Sequence, residues 1–586
     1  MLQTLTERPY ADVLIVGGGI NGLAAFRELA LQGVDVALVE RGDIISGASA
    51  ASSHMIHGGI RYLENGEFRL VREAVVERNR LLRLAPHYVR PLQTTIPITS
   101  TFSGLLSAPL RFLRHGSGPH RERGAALIKI GLVIYDSFSR SGGRVPRHAF
   151  HGRRRSRQLL PHLHPDVAYT ATYWDASLHD PERLAVDVAR DALAAGAHAR
   201  LATRTAVVGT RDGALVLRGE DGTESAFRAS VVVNATGPWT DLTNDALGAP
   251  TRFMGGTKGS HIVLDDPELL AATGGRELFF ENADGRIVLI YPLKGRVLVG
   301  TTDLEHDMAD AVQCTEAEVD YFVELISQVL PEIVVDRTRI VYRFSGVRPL
   351  PGHGDLAPGF VSRDYRIEQS TLPGGSATVL SLVGGKWTTF RASGEALADR
   401  VLGALHVPRR TSTTQLPIGG GAGFPETDEA RDAWIRAHGA GLPAARVITL
   451  LDRYGTVAAD VAAAIAADPD DAPLHGAPDY STGELRHLAR TEWVSHLDDL
   501  LLRRTSLAFT GAADAAAAAV AAAVAPELGW DDERIEAEIR RGIAAVHAAD
   551  PTWPGHAASV PTGDADPTGD AVAAGAADTA GSGAAR

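Results

Sequence analysis

The stretch that most limits the fold is ADVLIVGGGINGLAAFRELALQGVDVALVE, residues 11–40. Val13–Val16 is a short apolar run of strand length, Leu23–Leu31 carries helix formers, and Val36–Val39 is a second apolar run. Gly33 falls where a helix C-cap is expected. Strand, glycine turn, helix, strand is the opening βαβ unit of a doubly wound parallel sheet. The turn holds G-x-G-x-x-G at Gly17, Gly19 and Gly22. Glycines allow a sharp turn and a close approach of backbone to a pyrophosphate, and the helix N-terminus offers unpaired N–H groups and a partial positive charge. Glu40 ends the second strand, where a carboxylate accepts hydrogen bonds from ribose hydroxyls. Because strand, turn, helix and acid agree, the unit reads as a dinucleotide site rather than a glycine turn that only packs helix on strand.

FAD and NAD both use such a unit. Its place at the start of the chain, with two later returns, favours FAD. VVVNATGPW (231–239) is an apolar strand running into a turn at Gly237, and LVGGKWTTFRASGEAL (382–397) is a strand, Gly384-Gly385, and a helix start with Thr388 in its first turn. The dipole of that helix, with Lys386 beside it, suits negative charge on the N1–C2=O edge of a reduced flavin.

The rest of the chain sets the organisation. Residues 67–86 and 180–199 read as helices, the second with Asp180 as N-cap and Pro181 at its first position. Short β-like runs then alternate with turns, from ALVLRG (214–219) to RVLVGTTD (296–303). Residues 425–550 are Ala-rich and helical, AAAAAVAAAVA (515–525) included, and from Pro551 the chain has little to bury and reads as a disordered tail. The expected class is α/β: a Rossmann-like dinucleotide-binding domain interleaved with an α+β substrate domain over residues 1–410, then an all-α C-terminal domain over 411–550. The substrate part is placed at about 61–165 and 250–345. The net charge of −13 argues against a nucleic-acid partner. The single cysteine, Cys314, excludes internal disulfides and Cys-rich metal sites, and no His/Asp/Glu cluster has metal-ligand spacing; HLHPD (162–166) reads as a turn. The N-terminus has no signal-peptide pattern, and no run of 18 apolar residues suggests a spanning helix.

Nine segments, in order over roughly residues 10–405, resemble the FAD-dependent glycerol-3-phosphate dehydrogenase family: DVLIVGGGINGLAA, SSHMIHGGIRYLENGEFRLVREAVVER, GLVIYD, VNATGPW, KGSHIVL, VGTTD, YRFSGVRPL, SRDY and GGKWTTFR. The resemblance implies a fold like that of D-amino-acid oxidase and glycine oxidase. It implies oxidation of sn-glycerol 3-phosphate to dihydroxyacetone phosphate by hydride transfer from C2 to flavin N5, with electrons passed to a membrane quinone. An oxidase that reduces oxygen to hydrogen peroxide is the alternative. The sequence departs from the family at His54, where a well-known bacterial form has lysine, at Ala48 and Ala50 in a Thr/Ser-rich lead-in, and in extra residues around 101–124.

Such a reaction needs cationic donors for a phosphate and an acceptor for the C2 hydroxyl proton. The resemblance places Arg61, Tyr62, Thr301, Arg348, Arg363 and Lys386 around the substrate. His261 ranks first as proton acceptor, with Arg348 stabilising the alkoxide; His57 ranks second and is read mainly as a flavin contact. Ser52 and Ser53 are expected along the cofactor's pyrophosphate and ribityl chain, and His57, Gly58 and Gly59 against its ring, where a Cβ would intrude. Phe102–Leu113 alternates apolar residues with arginine, and HGRRRSRQ (151–158) is a compact basic run. With the resemblance, they suggest a cytoplasmic protein held peripherally on the lipid surface of the inner face of the cell membrane. A homodimer is left open.

Overall fold

The computed structural model describes residues 2–59, 67–99, 125–139, 145–281, 286–308, 310–352 and 364–552. The 101–124 insertion, Arg61, Tyr62, Arg363 and the tail beyond residue 552 lie outside them.

The fingerprint strand Tyr10–Val16 lies between two parallel neighbours, Val36–Val39 and Glu224–Asn234. Parallel strands Ala199–Ala202 and Thr378–Val383 extend the sheet outward, and Arg366–Thr371 closes one edge in antiparallel fashion. Both faces of these strands are covered, which is why Val13–Val16 and Val231–Val233 read as unbroken apolar runs rather than alternating ones. The fingerprint helix runs Ile20–Leu31 and packs on the helix Phe390–Leu405. A two-stranded excursion, Thr205–Arg211 with Ala214–Gly219, pairs back onto the start of the 224–234 strand.

The second sheet is mostly antiparallel and is assembled from distant parts of the chain. Its strands include Val89–Ile98, Tyr169–Leu178, Thr257–Leu264, Ile287–Leu293, Arg296–Gly300 and Ile340–Arg348. Tyr169–Leu178 lies beyond the expected end of the first substrate segment at 165 and pairs along its whole length with Val89–Ile98. The two faces differ. Ile262, Leu264, Val297 and Val299 pack under the helix Glu316–Val329, whereas Val263, Leu289, Leu298 and Phe344 share a cluster with Met55 and Phe509. The second face looks toward the cofactor lead-in and the C-terminal domain.

The C-terminal region is helical, with one addition to the all-α expectation: a small hairpin, Pro473–Leu474 with Ala477–Ser481. The Ala-rich stretch forms the helix Ala513–Leu528, whose Ala516, Ala517, Val520, Ala521 and Val524 are buried. Small side chains there let it pack closely on Thr482–Thr491 and Asp532–Val546. This domain is tied to the first sheet by a buried ion cluster. Asp43 accepts from Arg503 Nε at 2.6 Å and from Arg504 Nη1 and Nη2 at 2.7 and 2.8 Å. Asp180 precedes the helix Pro181–Ala194 as expected, but its carboxylate does not cap it; it pairs with Lys294 at 2.7 Å, because a nearby ammonium outcompetes a neutral N–H.

Candidate active site

The nucleotide end is built where the parallel strands finish. A cavity of about 250 Å³ is lined there by Gly17, Gly19, Glu40 and Gly237. A Cβ on Gly17 would sit 2.8 Å from Ala235 O, and one on Gly22 would collide with Gly17 O, so neither position admits a side chain. Gly19 is the N-cap of the fingerprint helix and supplies no side-chain cap, which leaves that helix end facing the cavity. Glu40 accepts from the N–H of Gly18 at 2.7 Å and of Gly42 at 2.9 Å. Burial pushes its pKa up against the pull of those donors. The cavity also takes in Arg41, Ser49 and Trp239, which sequence reasoning missed. Arg41 lies 4.8 Å over the Trp239 ring, and Ser49 Oγ accepts from Ile20 N at 3.1 Å. A glycine cradle, a helix N-terminus facing the cavity and a strand-end acid fit the pyrophosphate and ribose of FAD.

The second group joins the lead-in to the late turn. Trp387 Nε1 donates to Ser49 O at 3.0 Å and Thr388 Oγ1 to His57 O at 3.1 Å, so the 49–58 segment and the Gly385-Lys386 turn form one wall. Gly58 N–H donates to Tyr135 Oη and Asp175 Oδ1, both at 3.0 Å. Those two acceptors are bonded to each other and held by Arg78, which is fully buried. A Cβ on Gly58 would strike the Tyr135 hydroxyl, so that buried network by itself requires a glycine here. Lys386 stands close enough to Glu73 for its charge to counter the burial that raises the Glu73 pKa. Ser52 Oγ accepts from His54 N at 3.3 Å. The Ser53 hydroxyl shares a hydrogen bond with His261 Nε2 at 2.8 Å.

The substrate end lies on the second sheet. Across the pair Thr257–Leu264 and Ile340–Arg348, Thr257 faces Arg348, Gly259 faces Gly346 and His261 faces Phe344. The period of two places His261 and Arg348 on one face, with Gly259 between them. A Cβ on Gly259 would overlap the Arg348 guanidinium, and one on Gly300 would overlap the His261 ring, so both side chains lie over bare backbone. Arg348 donates to Asp303 Oδ1 (2.8 Å), Thr301 Oγ1 (2.9 Å) and Thr302 O (2.8 Å). Asp303 closes the VGTTD segment, and only the fold brings it to Arg348. The His261 ring stacks on Phe344 at 4.8 Å, and its Nδ1 is buried with no hydrogen-bond partner. Burial, then the charge of Arg348, pushes its pKa down to about 3, so the ring is neutral and able to accept a proton.

The family described as FAD dependent oxidoreductase matches residues 12–400, and the C-terminal domain of alpha-glycerophosphate oxidase matches residues 411–535. The chain is 32% identical to a glycerol-3-phosphate dehydrogenase of Synechocystis sp. over 90% of this chain and 95% of that one. It is also 32% identical to a D-erythritol 1-phosphate dehydrogenase of Brucella abortus, covering 86% of this chain and 95% of the relative. Its fold is similar to that of the glycerol-3-phosphate dehydrogenase from Bacillus halodurans complexed with FAD, with a TM-score of 0.70, 22% identity, and 94% and 98% of the two chains covered. With an FAD cradle in its first sheet and a helical domain behind its second, the chain belongs to the FAD-dependent glycerol-3-phosphate dehydrogenase family.

Proposed function

We propose that this oxidoreductase converts sn-glycerol 3-phosphate to dihydroxyacetone phosphate. The observation that carries the reading is the pairing of a neutral imidazole, His261, with a fixed guanidinium, Arg348, on the sheet face that meets the cofactor lead-in. Gly346 on that face approaches Ala51 so closely that a Cβ would overlap it, which brings the two walls together. FAD, when bound, supplies the two-electron acceptor for the hydride leaving C2. His261 takes the C2 hydroxyl proton at Nε2, the atom that shares a hydrogen bond with Ser53. Arg348, held by Asp303 and Thr301, stabilises the oxygen as charge develops on it. A base with so low a pKa in the free protein is weak. A dianionic phosphate entering beside Arg348 offsets part of the positive field and strengthens it. Arg61, Tyr62, Arg363 and Lys386 complete the phosphate and substrate contacts in this reading.

Electrons then pass to a membrane quinone, with oxygen as the alternative acceptor. Peripheral binding at the inner face of the cell membrane is supported by Ile130 and Val133, exposed on the helix Ala125–Ser139, and by Arg153, Arg154 and Arg155, exposed on the helix Arg153–Leu159. Among the described residues, no helix is long and apolar enough to cross a membrane. A homodimer is compatible with this arrangement. The deciding experiment is anaerobic titration of the purified holoprotein. Loss of the oxidised flavin absorbance with millimolar glycerol 3-phosphate supports the reading, and an unchanged spectrum refutes it. Bleaching by D-erythritol 1-phosphate at lower concentration would instead favour the longer polyol phosphate named for the Brucella relative. Peroxide formed in air separates the oxidase from the quinone-linked enzyme.

A further inference from the structure

We propose that the C-terminal helical domain orients the His261 imidazole, with Phe509 and His54 as positioning residues. The inference rests on the reading of His261 as proton acceptor.

The short helix Leu507–Thr510 leaves the C-terminal domain and lies against the strand that carries Phe344 and Arg348. It is fixed there by Ser506 Oγ, which donates to Asp180 Oδ1 at 3.2 Å, and by Thr510 O, which accepts from Arg296 Nε at 3.2 Å. Phe509 is thereby buried with its ring 5.2 Å from that of His54. His54 holds a left-handed backbone, φ 54°, which a residue with a Cβ keeps only where its surroundings fix it. Here Leu178 fixes it from both sides: Leu178 N donates to His54 O at 2.8 Å, and His54 Nδ1 donates to Leu178 O at 3.0 Å.

Two contacts set the orientation of His261, and both lean on His54. Ser53, the residue before the left-handed turn, bonds Nε2. Phe344, which stacks on His261, meets the His54 ring edge-on at 6.4 Å. The chain of contact is therefore Phe509, His54, then Ser53 and Phe344, then His261. It starts in a domain that supplies no other residue to the described site. The charged and titratable groups around His261 are Arg348 and His54, with His179, Asp180 and Lys294 behind His54.

The test uses holoprotein variants Phe509→Ala, Phe509→Leu, His54→Gly and His261→Gln, assayed with glycerol 3-phosphate and a dye acceptor. Flavin absorbance reports cofactor loading. Phe509→Ala is expected to lower kcat about tenfold with KM within about twofold. It is also expected to move the acid limb of the kcat profile up by about one pH unit, because water reaching the ring returns His261 toward its ordinary range. Phe509→Leu restores most of the rate. His54→Gly keeps the left-handed turn without strain and deletes the ring, so it reproduces the Phe509→Ala profile even if the latter folds poorly. A flavin-loaded Phe509→Ala or His54→Gly with wild-type kcat and pH profile overturns the inference. If His261→Gln itself keeps the wild-type rate and profile, the proton-acceptor reading fails. If it loses the rate while the other two do not, that reading stands and only the positioning role falls.

Discussion

Ser53 Oγ lies 2.8 Å from His261 Nε2, and the two residues come from opposite walls of the site, one from the cofactor lead-in and one from the substrate sheet. Ser53→Ala leaves both ring nitrogens of a buried histidine without a protein partner, since Nδ1 already has none. A buried polar atom stripped of its partner costs about 1–3 kcal/mol, of which the rate bears the part that misorients the ring. The expected outcome is a kcat lower by roughly tenfold with full FAD content, read by steady-state assay with a dye acceptor and by flavin absorbance.

Arg348 offers a planar fork whose direction is set by Asp303 and Thr301. Lysine keeps the charge but cannot meet both acceptors at once. Arg348→Lys is therefore expected to lose about a hundredfold in kcat/KM, most of it in kcat if the group acts on the developing alkoxide. Asp303→Asn, which keeps an acceptor oxygen at 2.8 Å, should lose much less than Asp303→Ala. Equal losses in the two variants would argue against an orienting role for Asp303.

The parts legible in the sequence were those in which a local pattern carries the physics. Gly17, Gly19 and Glu40 fall within one βαβ unit, so spacing alone brings them together around the cavity, with Gly22 packed against Gly17. Thr388 and His57 both read as cofactor contacts in the sequence, yet their mutual hydrogen bond spans 331 positions and has no local trace. The same holds for Arg78, Tyr135 and Asp175, which sit in three separate elements and bond one another beneath the Gly58 amide. Sheet order explains the difference. The pairing of Tyr10–Val16 with Val36–Val39 follows from a single βα step, but the antiparallel register that sets Thr257 opposite Arg348 depends on pairing between distant strands.

Gly259 and Gly300 separate steric from chemical roles. A methyl group at Gly259 meets the end of the Arg348 side chain, which can swing aside at the cost of its bonds to Asp303 and Thr301. Gly259→Ala should fold and bind FAD normally while showing a raised KM and a lowered kcat for glycerol 3-phosphate. At Gly300 the obstacle is the buried, stacked His261 ring, which has nowhere to go. Gly300→Ala should therefore lower the melting temperature by several degrees as well as the rate, consistent with about 1–3 kcal/mol for overpacking. Differential scanning fluorimetry beside the activity assay distinguishes the two. A Gly259→Ala enzyme with unchanged kinetics would mean that the guanidinium position is not critical.

Docking of the C-terminal domain should depend on pH through His496. Its Nδ1 lies 2.8 Å from Glu538 Oε1 and its Nε2 lies 3.0 Å from both oxygens of Glu220, a residue of the first domain. Burial works against the imidazolium, but hydrogen bonds to Glu538 and Glu220 outweigh it and raise the pKa above the ordinary 6.5. A raised folded-state pKa means that the protonated pair stabilises the fold fully below about pH 6.5 and that this contribution is lost as pH climbs through the folded value. Glu220 is 47% exposed, so solvent screening holds the effect to about 1 kcal/mol or less. The melting temperature should therefore fall modestly from pH 6 to pH 8.5 in the wild type and fall less in His496→Gln, which cannot titrate. A variant whose melting temperature tracks the wild type across that range would show that another group governs the docking.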